Sequence, residues 1–330
     1  MLSRVADNLF WFGRYVQRAE NTARLASVHA NLILDMPRRV VVAWESVVDI
    51  TGSRAGFLER YDDFSEANVV QFLLVDDANP GSILSSLSNA RQILRSSRDI
   101  MPREIWEEIN KLYWFVRDAT PQALERRRRS DFLDRVIRSC LLVDGMLYEN
   151  MSRDLAFRFL SLGSSLEQAD MTSRIVDASA IGLLPHHQDE LLPFSNIQWR
   201  SVLMSLTAYQ MYRRQVRRRV SGPKVVQFLI QDRDFPRSVA WNLDAICQTL
   251  SRIPNHDLPL RVARTIRTRI AEADLTALPQ SQVSAYMDDL QGRLAQLGSV
   301  ITEHYFRPEL AHAPAARRRS GSRCRRPSTW

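Results

Sequence analysis

Two short segments carry charged side chains at one and the same spacing. Gly13, Gln17, Glu20 and Arg24 are answered by Gly163, Glu167, Asp170 and Arg174, 150 residues further on. Steps of four, three and four residues put each set on one narrow stripe of a helix, about 16 Å long at 1.5 Å per residue. The guanidinium forks of Arg14, Arg18, Arg24 and Arg174 suit a carboxylate or phosphate. The carboxyl groups of Glu20, Glu167 and Asp170 could hold a hard cation or move a proton. The motifs that usually accompany such chemistry are missing from the chain. It lacks the two Glu-x-x-His motifs that a di-iron site needs, and it has no His-Glu-x-x-His, no Gly-rich phosphate loop and no nucleophile elbow. No catalytic residue, metal site or cofactor is therefore assigned.

Each stripe lies beside an apolar seam; in the first copy this is Val5, Leu9, Phe12, Val16, Ala19 and Ala23, at helical steps of three and four. Charges next to such a seam are partly buried and need partners. Glu20 reaches Arg24, and Asp170 reaches Arg174, across one turn. The glycine one turn above lets another backbone come close. The expectation is that the two helices pack at Gly13 and Gly163, with Glu167 meeting Arg14, Arg18 or Arg24. Two readings of the stripe stay open. Either it is a polar network that fixes the register of two helices, or it lines a cleft that binds an anionic ligand or works as an enzyme site.

The elements that must position these groups all read as helices. Helical periodicity falls near 40–51, 66–75, 80–98, 103–118, 122–151, 152–178, 197–219, 223–231, 236–252, 258–273 and 280–306, and strand alternation is sustained nowhere. Arg126 to Arg129 wrap more than one turn and read as a solvated surface. Further repeats join the opening pair. Trp44-Glu-Ser-Val-Val answers Trp199-Arg-Ser-Val-Leu; Val69-Val-Gln-Phe-Leu-Leu answers Val225-Val-Gln-Phe-Leu-Ile; and Asn79-Pro-Gly-Ser-Ile answers Phe235-Pro-Arg-Ser-Val. The offset drifts only from 150 to 156. These blocks predict an all-α, internally duplicated helical bundle, two pseudo-symmetric units of about 155 residues packed together. The first repeat covers residues 1–150, the second 151–312, and 313–330 form a disordered Arg-rich tail. Pro80 and Pro236 suit a first helical turn, with Asn79 as a cap, and Asp76, Asp77 and Asp232 suit the turns before it.

Charge has to be located before it is interpreted. The chain carries +8, but six arginines and no acid lie in 313–330, leaving +2 for the remainder. A global nucleic-acid footprint is not indicated; binding through Arg213 to Arg219 and the tail is the weakest functional reading. Cys140, Cys247 and Cys324 are far apart, which argues against a disulfide framework or a zinc site, and His186 with His187 make poor metal geometry. No charge-free apolar run approaches 18 residues, and Arg4, Asp7 and Arg14 interrupt the N-terminal apolar residues. No membrane association is expected, and a cytoplasmic location follows as the default. A homo-oligomer is compatible with the sequence.

The opening LSRVADNLFWFGRYVQRAENTARL resembles the signature of the bacterial alpha-E proteins, a predicted α-helical domain with a Glu-Arg motif. The likeness runs on through LEQADMTSRIVD and VVQFLIQDRDFPRSVAWNL and covers residues 1–312. Where the family reads Glu-Arg-Ala, this chain has Gln17-Arg18-Ala19 and Glu167-Gln168-Ala169, so each copy keeps one half of the pair. The resemblance implies partners: a circularly permuted ATP-grasp ligase and a transglutaminase-like protease. It implies a non-catalytic helical protein that binds the ligase or its substrate peptide.

Overall fold

The computed structural model describes residues 2–35, 43–181 and 195–307. The tail at 313–330, Cys324, and the His186–His187 pair lie outside the described residues. Within them the chain is all-α, with no strand.

Two long helices form the axis of the molecule. Helix α1 (Ser3–Asp35) packs along α9 (Leu155–Ile181), the most extensive contact in the fold. Residues on every side of α1 are buried, including Leu9, Phe10, Phe12, Val16, Ala19 and Ala23. A helix surrounded in this way needs apolar residues outside a single stripe, and Ala6 and Phe10 supply them.

Each axial helix has its own shell. Around α1 lie α5 (Ile83–Ser96) and α8 (Arg126–Asn150), with α6 (Arg103–Asp118) bridging those two. Around α9 lie α13 (Val239–Leu250) and α15 (Gln280–Tyr305), with α14 (Asp257–Glu272) bridging those two. The shells are tied crosswise by shorter helices: α2 (Glu45–Ile50) packs on α9, and α10 (Ser195–Ser205) packs on α1. The buried apolar side chains of both shells form one continuous core. The remaining helices are α3 (Arg54–Leu58), α4 (Glu66–Leu74), α7 (Thr120–Leu124), α11 (Tyr209–Val216) and α12 (Gly222–Gln231).

Several expectations are corrected locally. The stretch 122–151 is split, because Glu125 is extended (ψ 117°) between α7 and α8. Arg126 to Arg129 are not uniformly solvated. Arg129 is buried: its guanidinium donates to the Ala123 and Leu124 carbonyls left open at the end of α7 (both 3.1 Å) and to Glu66 (2.6 Å). The stretch 197–219 breaks between α10 and α11 at Thr207, whose φ is 52°. Helix α5 is capped by the Ser82 hydroxyl, which accepts from the Ser85 amide at 3.0 Å, and α13 by Ser238, which accepts from the Trp241 amide at 3.0 Å. Asn79 instead closes the preceding turn, accepting from the Gly81 amide at 2.9 Å and donating to the Phe72 carbonyl at 2.9 Å. Pro80 and Pro236 therefore stand outside the helices. Asp76 and Asp232 accept backbone amides in those turns, as their position suggests.

Candidate functional site

Backbone meets backbone where α1 crosses α9. A Cβ on Gly13 would lie 2.3 Å from the Leu160 carbonyl oxygen, and one on Gly163 would lie 1.9 Å from the Phe10 carbonyl oxygen. The two contacts are reciprocal: each glycine meets the carbonyl three residues ahead of the other. No side chain fits at either point, so glycine is required for its size and not for backbone freedom.

One turn along, the charged groups sort into clusters. Glu167 is 3% exposed and is gripped by two arginines of α1. Arg14 Nε donates at 2.7 Å to one carboxylate oxygen, and Arg18 donates to both, at 2.6 and 3.0 Å. Burial works against this carboxylate, but Arg18 and Arg14 outweigh it and hold its pKa down to about 2. Glu167 thus meets Arg14 and Arg18, and not Arg24. The surviving halves of the two Glu-Arg motifs, Arg18 and Glu167, are joined across the two helices.

The second cluster is centred on Glu20, which is fully buried. Its Oε1 accepts from Arg24 Nε at 2.7 Å and from Arg237 Nη2 at 2.6 Å. Arg237 also donates to Gln168 (3.0 Å) and Asn21 (3.3 Å), so it ties α1, α9 and the start of α13 together. From the same stripe, Gln17 donates to Asp144 of α8 at 2.7 Å. Burial, reinforced by the charge of Glu20, pushes the Asp144 carboxyl up to about 7, against the pull of Arg237 and the Gln17 amide. The third cluster, Asp170 with Arg174 (2.8 Å), is the more open one. Of the stripe residues, Arg14, Asp170 and Arg174 line a cavity of about 430 Å³ between α9 and α15, whereas Glu20 and Glu167 lie sealed in the helix interface.

Arg237, Asp144 and Gln168 are participants that periodicity did not single out. For Arg237 a signal existed: in the repeated Pro-centred block it stands where the first copy has Gly81. Asp144 gave none, since it reads as one more acid on the polar side of α8. Cys140 and Cys247 are free and buried, and burial raises both thiols, which makes them poor nucleophiles. No cluster of His, Cys, Asp and Glu among the described residues is arranged to hold a metal ion. No helix there is long and apolar enough to cross a membrane.

Asp144 sets a measurable pH dependence. Its folded-state pKa lies above the unfolded value of 3.8, so the folded chain binds the extra proton. Its contribution is fully present below about pH 4 and is lost as pH rises toward 7, a loss of about 2–4 kcal/mol. Asp144→Asn keeps an acceptor for Gln17 and removes the charge. Chemical denaturation should show the variant more stable than the parent at pH 8 and equal to it near pH 4. Parallel pH profiles would refute this.

Comparison with known proteins places the chain. A family model described as a predicted alpha-helical domain with a conserved ER motif matches residues 1–306. Uncharacterised proteins of Mycobacterium tuberculosis and Mycobacterium bovis are 24% identical over 315 residues, which covers 89% of this chain and 34% of theirs. The chain thus spans about a third of the length of the curated relatives it matches. No solved structure matches it.

Proposed function

The chain belongs to the Alpha-E family, and on that footing we propose that it is a non-catalytic helical binding module. It serves an ATP-grasp-type ligase that forms amide or peptide bonds, binding the ligase or its substrate peptide, in a system that includes a transglutaminase-like protease. The observation that carries a module reading is the length of its relatives. The matched region is about a third of each mycobacterial protein, so domains of this kind occur joined to other sequence. The way the buried carboxylates are used supports the same reading. Glu20 and Glu167 are each held by two guanidinium groups inside a helix interface, an arrangement that fixes register.

The two shells are the product of an internal duplication, residues 1–150 and 151–312. What supports this is correspondence at one nearly constant offset. Ser82 and Ser238 cap their helices 156 residues apart. Gly52 and Thr207, 155 apart, both have positive φ, at 67° and 52°. Buried Val136, Cys140, Val143 and Leu147 of α8 are matched by Leu290, Leu294, Leu297 and Ile301 of α15, each 154 residues on.

Co-expression with an ATP-grasp-type ligase from the same genome tests the function. The expected result is a complex that survives size-exclusion chromatography. No complex, together with amide-bond turnover by the isolated chain, would reverse the assignment in favour of an enzyme.

A further inference from the structure

The cavity between α9 and α15 is bordered by a glycine. Gly298 of α15 faces Leu166 of α9, where an added Cβ would lie 3.2 Å from the Leu166 Cδ2 and 4.0 Å from Arg14 Nη1. The 154-residue offset that aligns α8 with α15 puts Asp144 opposite Gly298. In the first shell that position is filled by a carboxylate, which accepts from Gln17. In the second shell the space is kept and the carboxylate is missing.

The chemistry of the walls differs from one end to the other. Leu166 faces Gly298 and Asp177 reaches Gln291, so α9 and α15 run antiparallel. Trp11, Arg14 and Arg307 therefore line one end, and Asp170 with Arg174 the other. Arg14 spends its Nε on Glu167 and stacks on Trp11, its Cζ 4.9 Å from the ring centre. Its Nη groups form no hydrogen bond among the described residues; Arg307 has no salt-bridge contact among them, although its charge acts on Asp7 of α1. At the opposite end Asp170 uses one carboxylate oxygen on Arg174 and keeps the other. Leu166, Leu294 and Ala295 form the apolar wall between.

We propose that this groove binds a short peptide with free termini, its carboxylate on Arg14 and Arg307 and its ammonium group at Asp170. Arg14, whose Nη1 lies beside Gly298, is about one helical turn from Asp170 along α9, and Arg307, nine residues beyond Gly298, closes the far end of the groove, which leaves room for a di- or tripeptide. The cavity of about 430 Å³ is large enough for one. A polyphosphate fits more poorly than a zwitterion, because Asp170 and Glu303 bring negative charge into the same lining. The site deepens the module reading by naming what the module holds, and it rests on that reading only for its biological use.

Calorimetric titration of the full chain with trialanine tests it, beside trialanine amide, N-acetyl-trialanine and inorganic phosphate. Trialanine should bind at millimolar concentration or below, and capping either end should weaken binding about tenfold, the loss of one charge-assisted contact. Gly298→Asp places a carboxylate beside Arg14 and should abolish binding. Gly292→Asp, on the same helix where nothing lies within 4 Å of a Cβ, should bind like the parent. Arg307→Ala alters an exposed side chain, so its expected loss of about tenfold cannot come from misfolding. Equal binding of the capped peptides, tighter binding of phosphate, unchanged binding by Gly298→Asp and Arg307→Ala, or no binding of trialanine would each overturn the proposal. A peptide that binds without any complex with the ligase would overturn the partner assignment alone.

Discussion

Gly163→Ala should destabilise the protein by on the order of 3 kcal/mol or more, read as a lower midpoint in urea unfolding. The added methyl would sit 1.9 Å from the Phe10 carbonyl oxygen and 2.8 Å from its carbon. These are backbone atoms of a helix buried on all sides, so no side-chain rotation relieves the clash. α1 and α9 would have to separate, and with them the core packed on both. Gly13→Ala meets the Leu160 carbonyl and should behave similarly. Gly145→Ala supplies the contrast: nothing lies within 4 Å of its Cβ, and it sits inside α8. There the helix preference for alanine should add about 0.5–1 kcal/mol of stability. If Gly163→Ala and Gly145→Ala behaved alike, the close crossing of α1 and α9 would be wrong.

The second large effect belongs to Glu167. Glu167→Ala leaves Arg14 and Arg18 facing each other, mostly buried, with no counter-ion. Removing one partner of such a buried group typically costs about 3–5 kcal/mol. Glu167→Gln should recover part of this, because the amide oxygen still accepts one guanidinium. The pH dependence carries a definite sign. The folded-state pKa, about 2, is below the unfolded value of 4.5, so the contribution is fully present above pH 4.5 and is lost as pH falls toward 2. The gap between parent and Glu167→Gln should therefore narrow as the solution is acidified across that window. A gap independent of pH would mean that the ion pair contributes little and that shape alone matters. Asp144 has the opposite slope, so the two carboxyl groups should be separable in one set of titrations.

The contrast between these carboxyl groups comes from what surrounds each. Glu167 is met by two guanidinium groups from the facing helix, which overcome burial. Asp144 has an amide as its hydrogen-bond partner and a second carboxylate, Glu20, close by, and both burial and Glu20 favour its proton. If the halves are duplicates, the asymmetry is concentrated here. One shell closes the space beside its axial helix with Asp144, and the other leaves it open at Gly298.

Much was legible in the residues alone. Periodicity determined the helical class and located most helices, because one buried face per helix imposes apolar steps of three and four. The spacing of glycine, acid and arginine in FGRYVQRAENTARL and LGSSLEQADMTSRI determined which faces of α1 and α9 meet, since only glycine admits another backbone. What the tertiary structure alone decided is the distribution of charge among partners. Arg237 lies more than 200 residues from Glu20 in the chain and reaches it because α13 packs on α9. Arg129 turns inward because the break at Glu125 leaves carbonyls that need a donor. The groove beside Gly298 likewise depends on which helix faces α9. Helical spacing fixes neighbours within about one turn, whereas a buried charge is answered by whichever distant helix the packing brings alongside.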